Sequence, residues 1–374
     1  MPAGATTAQS GASTDGERPA KRVKGSVIGG ALNPRTLHWV FKVPDRAETM
    51  KFYRDVLGAR VMRHEEFKEG CEASCNGPYD GQWSKTMVAY GPEDDYFAFE
   101  LTYNYGLRRY EYKQDFRMIE IKSTAAYRAA TAALPGGVAA PAAAAAAPAD
   151  PADPKGGNGS GAAVQVCAPG GYPFRVVDAD VAAGADPVQR LVLASSDLGR
   201  SKAYWAGVLG MEVVCDSPSE LALRWAPGQV VVAFVPTDGG APVEHGTAAG
   251  RVAFSVNAAA LPAVQEKVLA AGHAVVKELV TLPTEGKADV VVVILGDPDG
   301  YEICFVGDEA YRELSAPDAA SEADLDARIA ADDSDDWHAK VAARKARTAA
   351  RKAEAAAAGA AAGEAAPGGV EPGP

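Results

Sequence analysis

The chain has 374 residues, 47% of them hydrophobic, which is enough material for two domains of ordinary size. Its formal net charge of −12 argues against a nucleic-acid-binding surface. The sequence has no apolar run long enough to span a bilayer and no secretory leader, so we expect a soluble protein without membrane or nucleic-acid partners.

The cysteines are odd in number and thinly spread, a pattern typical of a reducing compartment. Cys71 and Cys75 lack the second pair that a zinc site would need, so we predict two free thiols on a loop. The predicted localisation is cytoplasmic, with nuclear and mitochondrial alternatives left open. The basic stretch at residues 19–24 (PAKRVK) fits a nuclear signal and a solvated basic spot equally well.

The first predicted module follows an arm at residues 1–34, which is rich in Gly, Ala, Ser and Thr and is expected to be disordered. Residues 36–43 alternate as a strand, and Asp45 is placed to cap a helix over residues 46–57. Gly58 then closes that helix. Three more strands are predicted, near residues 60–64, 85–90 and 96–106. The resulting order is β-α-β-β-β.

The same order recurs along the chain. Residues 197–210 (DLGRSKAYWAGVLG) echo residues 45–58 (DRAETMKFYRDVLG), and both segments end in Val-Leu-Gly. Two further modules begin near Asp115 and Gly250, and the last strand of each follows a turn containing Pro and Gly. Repeats of this kind indicate four modules in two pairs. The hydrophobic periodicity alone predicts only a mixture of α and β.

Two segments lack the side chains that a packed core needs. Residues 125–163 carry an insertion rich in Ala, Pro and Gly, which we predict to be mobile. Residues 315–374 form a charged, Ala-rich C-terminal tail, in which acidic residues 324–336 precede basic residues 340–352. We predict a partly helical tail without a core, with a protein-binding helix as the alternative.

The strand at residues 96–106 (YFAFELTYNYG) carries a single acid, Glu100, among apolar and aromatic residues. The β-propensity of these residues favours a half-buried strand. A buried carboxylate requires a cation, a metal ion or hydrogen-bond donors as its partner. Glu100 is therefore the first candidate for a functional residue.

This strand resembles the one that supplies an acidic metal ligand in glyoxalase I enzymes. Together with it, five motifs resemble the glyoxalase domain-containing protein 4 family: LHWVFKV at 37–43, FYRDVLG at 52–58, HEEF at 64–67, NGPYDGQWSKTM at 76–87 and DPDGYEICFVGD at 297–308. The resemblance covers roughly residues 36–314, except the insertion. It implies an α+β fold of the vicinal oxygen chelate superfamily, in which four β-α-β-β-β modules form two glyoxalase/bleomycin resistance-like domains, at residues 35–181 and 186–308.

In glyoxalase I, a residue of the first strand and an acid of the last strand of one module hold the metal together with the same two positions of another module. Carried over, the first module supplies His38 and Glu100 as metal ligands, with Glu100 also the catalytic residue. The facing fourth module supplies Arg251 and Cys304. Because a guanidinium has only donors, we expect Arg251 to form a bidentate ion pair with Glu100 in place of a metal. A thiolate at Cys304 would instead leave a zinc site with an open position.

The remaining two modules offer no plausible metal ligand at the corresponding positions, which are Met118, Arg175, Arg190 and Ala233. No cofactor is certain. A divalent ion, zinc or nickel, is expected only in the pocket between the first and fourth modules.

By position, Lys42 and Asn104 match the residues with which glyoxalase I grips the glutamyl end of glutathione. Lysine pairs with a carboxylate but lacks the fork of arginine, so this match supports glutathione recognition only weakly. The alternative is structural: Lys42 reaches toward water and Asn104 closes a turn.

Together these features predict a glyoxalase I-like protein with a degenerate, incomplete metal site. It would bind a small oxygen-rich or glutathione-related ligand and lack standard lactoylglutathione lyase activity. Whether the protein is an enzyme stays open; if it is, the resemblance implies a glyoxalase I-like lyase. Two alternatives remain: a non-catalytic scaffold that binds a protein partner through its C-terminal tail, and an active metal-dependent lyase in methylglyoxal detoxification.

Overall fold

A computed structural model describes residues 34–133, 162–284 and 286–334, with short pieces at 346–348, 351 and 373. Nearly all of the predicted arm, most of the insertion and the end of the tail lie outside the described residues, so the predictions for them stay predictions. Among the helices within the described ranges, none is long and apolar enough to cross a membrane.

The described chain follows the modular order, except that three strands, and not four, are described for the second module. The first module comprises β1 (Arg35–Lys42), α1 (Arg46–Lys51), β2 (Arg60–Phe67), β3 (Trp83–Ala89) and β4 (Ala98–Asn104). The second comprises β5 (Phe116–Lys122), α2 (Thr124–Ala133), β6 (Ala163–Cys167) and β7 (Pro173–Val177). The third comprises β8 (Val188–Ser195), α3 (Leu198–Lys202), β9 (Glu212–Ser217), β10 (Glu220–Arg224) and β11 (Val231–Pro236). The fourth comprises β12 (Arg251–Val256), α4 (Leu261–Ala270), β13 (Val275–Leu282), β14 (Val290–Gly296) and β15 (Glu302–Gly307), and it is followed by α5 (Asp308–Leu314) and α6 (Ser321–Ala330).

The modules combine into two mixed sheets. The first and fourth share an eight-stranded sheet in the order β13-β14-β15-β12-β1-β4-β3-β2, and the second and third share a seven-stranded sheet in the order β6-β7-β5-β8-β11-β10-β9. In each sheet the first strands of the two modules pair antiparallel, β1 with β12 and β5 with β8. The predicted α+β fold of paired modules is confirmed. The division of the chain into domains at residues 35–181 and 186–308 stays a prediction.

The helices of the first and third modules are built alike. Asp45 and Asp197 each accept a hydrogen bond at 3.0 Å from the backbone amide three residues later, which caps α1 and α3. Both helices continue into a π-helical turn, and a glycine with positive φ follows, Gly58 at 73° and Gly210 at 95°. The repeat predicted from the two sequences is confirmed.

The core lies between the two sheets. Phe41 of β1 is buried in it, and its ring centroid lies 5.5 Å from that of Phe116, 4.7 Å from that of Tyr172 and 6.0 Å from that of Phe174, all in the second module. Side chains of a strand alternate between its faces, so Lys42, the next residue along β1, points to the opposite side of the sheet. The outer face of the eight-stranded sheet is therefore free of this core and can carry a site.

Helix α2 extends into the segment predicted to be a mobile insertion. Its residues Ala126 and Ala130 are buried, and β6 already begins at Ala163. The prediction of a mobile insertion is therefore wrong over residues 125–133, because alanine favours a helix and allows it to pack closely. Residues 134–161 lie outside the described part of the chain.

Helix α6 contradicts the prediction of a tail without a core. Leu325 of this helix is fully buried in the main hydrophobic core. The helix and the turn before it lie along β2, where the amide of Asp318 donates to the carbonyl of Met62 at 2.9 Å and the hydroxyl of Ser321 accepts from the amide of His64 at 3.0 Å. One edge of the eight-stranded sheet is thereby covered. The sequence analysis did not identify Leu325 as a core residue, because acidic residues surround it in the sequence.

Replacing Leu325 with alanine is expected to lower the free energy of unfolding by about 2–5 kcal/mol, the range for truncating a buried leucine. Urea denaturation followed by tryptophan fluorescence measures the change. The matched control is Leu269→Ala, because Leu269 is 50% exposed on α4 and its loss should cost no more than about 0.5 kcal/mol. Equal effects of the two substitutions would show that α6 does not dock in solution.

Candidate functional site

Four adjacent strands of the eight-stranded sheet carry all six predicted site residues: His38 and Lys42 on β1, Glu100 and Asn104 on β4, Arg251 on β12, and Cys304 on β15. The strand registers place all six side chains on the outer face. Five of them are buried, and Cys304 keeps partial exposure. The structure therefore brings together the residues that the sequence analysis singled out.

His38 and Glu100 form the centre of this cluster. Nε2 of His38 lies 3.2 Å from Oε2 of Glu100, and the hydroxyl of Thr102 donates to the other carboxylate oxygen at 3.4 Å. Burial by itself raises the pKa of Glu100, but the hydrogen bond and charge of His38, reinforced by Lys85 and Lys42, lower it to about 2. Glu100 is therefore an ionised acceptor at neutral pH.

His38 is also held on its other side. Its Nδ1 lies 3.2 Å from the hydroxyl of Tyr311 on α5, and this hydroxyl donates to Oε2 of Glu93 at 2.6 Å. Arg63 pairs with the same carboxylate through Nε, also at 2.6 Å. The sequence analysis identified none of these three partners. Tyr311 lies beyond the last predicted strand and Glu93 lies in a loop, so no periodicity connects either residue to His38.

The predicted bidentate ion pair between Arg251 and Glu100 is wrong. Arg251 donates through Nε to Oε2 of Glu302 at 2.8 Å, and Nη2 makes a short contact with the same oxygen. Arg251 and Glu302 are direct partners in the register of β12 and β15, so the nearer acid takes the guanidinium. Strand alternation could have identified Glu302, since it lies two residues before Cys304 and hence on the same face.

Two nucleophilic side chains of the cluster have altered pKa values. Burial raises the pKa of Cys304 to about 12; the charge of Arg251 opposes this shift and that of Glu100 reinforces it. Without a metal ion nearby, the thiol is therefore protonated at neutral pH. Burial, followed by the positive charge of Arg251, lowers the pKa of Lys42 to about 7, so a fraction of its amine is neutral near that pH.

The loop between β2 and β3 lies over this face. Nζ of Lys42 donates to the carbonyl of Cys75 at 2.6 Å. The side chain of Asn104 donates to the carbonyl of Asn76 at 3.0 Å and accepts from the side chain of Asn76 at 2.9 Å. Cys71 and Cys75 are joined by a disulfide, so the prediction of two free thiols is wrong; their Cα atoms, 5.4 Å apart, are within bonding range. The two residues that match glutathione-gripping positions thus contact the protein's own loop.

A cavity of about 670 Å³ lies at the same loop, and its lining residues all fall between positions 69 and 80, among them Glu72, Ser74 and Tyr79. None of the six predicted site residues lines it. The cavity therefore does not open onto the His38–Glu100 pair, and the buried cluster of six residues remains the candidate site.

The donor set of the cluster can be compared with what a divalent ion needs. His38 and Glu100 supply one nitrogen and one oxygen that face each other, which suits zinc or nickel. Catalytic zinc sites use three protein ligands. Across the described ranges, no three His, Cys, Asp or Glu side chains converge on one point as a metal site. The described residues thus bring fewer facing ligands together at this cluster than a catalytic zinc site uses.

The corresponding face of the seven-stranded sheet holds ion pairs and apolar side chains. Arg175 makes a short contact with Glu120, and Nη2 of Arg190 lies 2.5 Å from Oε1 of Glu220. The other two predicted positions, Met118 and Ala233, belong to a small apolar cluster. Both arginines are thus already paired with acids of their own sheet.

Comparison with known proteins agrees with this architecture. Residues 197–314 match the family model described as glyoxalase domain-containing protein 4-like, C-terminal domain. The glyoxalase domain-containing protein 4 of Mus musculus is 44% identical over 314 residues, which is 83% of this chain and 98% of the relative. A protein of Caenorhabditis briggsae named glyoxalase 1 is 42% identical over 307 residues, 82% of this chain and all (100%) of the relative. A probable chloroplastic lactoylglutathione lyase of Arabidopsis thaliana is 28% identical over 182 residues, 48% of this chain and 45% of the relative.

Among solved structures, glyoxalase I from Zea mays superposes with a TM-score of 0.58 at 22% identity, covering 75% of this chain and 96% of that one. At this identity the likeness establishes the fold. The match to the mouse relative, at 44% identity over almost its whole length, establishes the family as well. The chain belongs to the glyoxalase domain-containing protein 4 family.

Proposed function

We propose that the protein is a glyoxalase I-like ligand-binding protein whose metal site is incomplete and whose standard lactoylglutathione lyase activity is lost. The ligand is a small oxygen-rich or glutathione-related molecule that binds between the first and fourth modules, around Glu100. The observation that carries this proposal is the ion pair of Arg251 with Glu302. The resemblance implies a metal ligand at position 251, and an arginine bound to an acid stands there instead.

The chemistry of the side chains supports binding rather than turnover. A glyoxalase-type isomerisation needs a base that removes a proton from carbon and a cation that stabilises the negative oxygen formed. Cys304 stands where the facing module would supply its acid, and with a pKa of about 12 it neither ionises nor accepts a proton at neutral pH. Glu100 is ionised, but its carboxylate is paired with His38. The guanidinium of Arg251 is likewise engaged by Glu302.

The ligand class follows from Lys42 and Asn104. Lys42 donates to a backbone carbonyl of the covering loop, and Asn104 bonds both to the loop and to the hydroxyl of Tyr110, at 3.1 Å. A ligand with carbonyl or carboxylate oxygens offers the same acceptors that the loop now offers. Its binding therefore requires the loop to leave these two side chains and the ligand oxygens to replace it.

Metal-dependent lactoylglutathione lyase activity is the second candidate. Its favouring observation is the 3.2 Å approach of His38 Nε2 to Glu100 Oε2, two donors of metal-ligand type that face each other. The names of the nematode and plant relatives agree with it. A third, non-catalytic scaffold function would need neither a ligand nor a metal at this face.

Two measurements on the full chain test the proposal. Isothermal titration calorimetry with S-hexylglutathione, a glutathione thioether, measures ligand binding. An absorbance assay of S-lactoylglutathione formation from methylglyoxal and glutathione, with zinc or nickel added, measures turnover. We expect binding without turnover above background. The Glu100→Gln variant should bind about tenfold less tightly or worse, because a hydrogen bond to a charged group contributes about 1.5–3 kcal/mol.

The matched control is Glu120→Gln, since Glu120 is a buried, arginine-paired acid on the corresponding face of the other sheet. This variant should bind the thioether as the wild type does. Turnover that a chelator abolishes would establish the lyase instead. A wild-type protein that does not bind the thioether would leave the scaffold function as the better account.

A further inference from the structure

Tyr311 stands apart from the modules that form the candidate site. It lies on α5, the short helix after the last strand, and its side chain is buried against the outer face of the eight-stranded sheet. Its hydroxyl contacts His38, and its ring centroid lies 6.2 Å from the imidazole centroid. A residue outside all four modules thus touches the central pair of the site.

The direction of the hydrogen bonds at this hydroxyl can be worked out from its single proton. The hydroxyl has two polar neighbours, Oε2 of Glu93 at 2.6 Å and Nδ1 of His38 at 3.2 Å. A carboxylate accepts only, and a hydroxyl bond to it is short and strong. The proton therefore lies toward Glu93. The oxygen of Tyr311 can satisfy Nδ1 of His38 only as an acceptor, so Nδ1 carries a hydrogen.

The carboxylate that orients Tyr311 is itself fixed. Arg63 donates to Glu93 through Nε at 2.6 Å and through Nη2 at 3.3 Å, and both side chains are almost completely buried, at 1% exposure each. Nη1 of Arg63 also pairs with Glu65 at 2.6 Å, and Lys85 contacts that second acid at 2.8 Å. The hydroxyl of Tyr311 thus rests on an anchored ionic network rather than on a mobile side chain.

We infer that Tyr311 is a positioning residue of the candidate site: oriented by Glu93, its hydroxyl accepts a hydrogen bond from Nδ1 of His38 and directs Nε2 of the ring toward Glu100. The expected effect on ligand binding rests on the proposed function, whereas the position of His38 follows from the contacts of Tyr311.

The hydrogen bond between Tyr311 and His38 restricts which ligand groups fit beside His38 and Glu100. With Nδ1 held by Tyr311, the atom that His38 presents to Oε2 of Glu100 is Nε2. At 3.2 Å from an ionised carboxylate, Nε2 donates a hydrogen to Oε2 of Glu100, so both ring nitrogens act as donors. The remaining lone pairs of the Glu100 carboxylate attract a ligand group that donates hydrogen. The chemistry that fits there is a hydroxyl or ammonium group of the glutathione-related ligand. The hydroxyl of Tyr311 occupies the Nδ1 side of the imidazole.

Nitrogen-15 spectroscopy of the full chain labelled in histidine tests the inference at pH 8, with His38→Gln used to assign the signal. In the wild type we expect the Nδ1 shift of His38 in the protonated range. In Tyr311→Phe the ring loses its acceptor at Nδ1, so Nδ1 should become unprotonated while Nε2 keeps the hydrogen that it donates to Glu100. Tyr90→Phe is the matched control. The hydroxyl of Tyr90 donates to the carbonyl of Leu57 at 2.9 Å, so this tyrosine makes its hydrogen bond in the same module as His38 but to a different partner.

Calorimetry with S-hexylglutathione on the same proteins gives the functional readout. Tyr311→Phe should bind about tenfold more weakly, the effect of losing one well-placed hydrogen bond, and Tyr90→Phe should bind as the wild type does. An unprotonated Nδ1 in the wild type overturns the inference, and so does a His38 signal unchanged by Tyr311→Phe. The wild-type spectrum decides even if the variant fails to fold. A wild type with the expected spectrum that binds no thioether refutes the proposed function and leaves the positioning role intact.

Discussion

Replacement of Arg63 by methionine is expected to lower the free energy of unfolding by about 3–5 kcal/mol, the cost of removing one partner of a buried ion pair. Arg63 is 1% exposed and neutralises Glu93 and Glu65 together. Burial works against the charge of Arg63, but the two carboxylates hold its pKa well above the usual value. Among the described residues, the carboxylate of Glu93 would then keep the hydroxyl of Tyr311 as its side-chain donor. Urea denaturation at neutral pH measures the loss.

The control for this substitution is Arg54→Met. Arg54 also contacts two acids, Glu322 at 3.0 Å and Asp326 at 2.9 Å, but both acids are more than half exposed. Surface ion pairs contribute at most about 1 kcal/mol, so this variant should be only slightly less stable than the wild type. An Arg63→Met protein as stable as Arg54→Met would mean that the buried network is not formed in solution.

Substitution of Gly246 by alanine is the second change with a large expected effect. A Cβ at this position would lie 1.9 Å from the carbonyl oxygen of Glu111, which is backbone and cannot move aside. The segment that contains Gly246 grips Glu111 through two hydrogen bonds: Ala248 donates to its carbonyl at 3.0 Å, and Thr247 accepts from its amide at 2.7 Å. We expect a loss of at least about 1–3 kcal/mol, the range for overpacking. Thermal denaturation monitored by circular dichroism measures it.

Gly207→Ala serves as the counterpart. Gly207 lies in the helical turn after α3, with φ in the ordinary range and nothing within 4 Å of the added Cβ. Alanine there reduces the freedom of the unfolded chain and should stabilise the protein by about 0.4–1 kcal/mol. Opposite signs for the two glycine substitutions are the expected result. A Gly246→Ala protein with unchanged thermal stability would show that the segment containing Gly246 does not contact Glu111 in solution.

Much of the fold was predictable because it repeats. The capping acids and closing glycines recur at the same spacing in the first and third modules, so local physics fixes both helices in the same way. The sequence analysis took the positions of His38, Lys42, Glu100 and Asn104 from the family resemblance, and the alternation of side chains within β1 and β4 accounts for their common face. These are short-range signals that a single sequence contains.

The interactions across strands were harder to predict. Arg251 was assigned to Glu100 from the missing metal, but the register of β12 and β15 offers it Glu302 at closer range. Tyr311 and the covering loop come from segments without periodicity. Their contacts depend on where the chain returns in space, which neither propensity nor spacing encodes. The docking of α6 was missed for a related reason, because its apolar contacts come from only two large side chains, Leu325 and Ile329, in a segment rich in acids.

The pairing of β1 with β12 has a consequence for biosynthesis. Arg35 is opposite Ser255, so the eight-stranded sheet joins the beginning of the folded chain to a part made much later. Contacts of such high sequence separation form slowly. While the ribosome is still making the middle modules, β1 can pair with β4 on one side, but its other edge, which β12 later occupies, is bare. The nascent N-terminal module therefore stays incomplete until β12 leaves the exit tunnel.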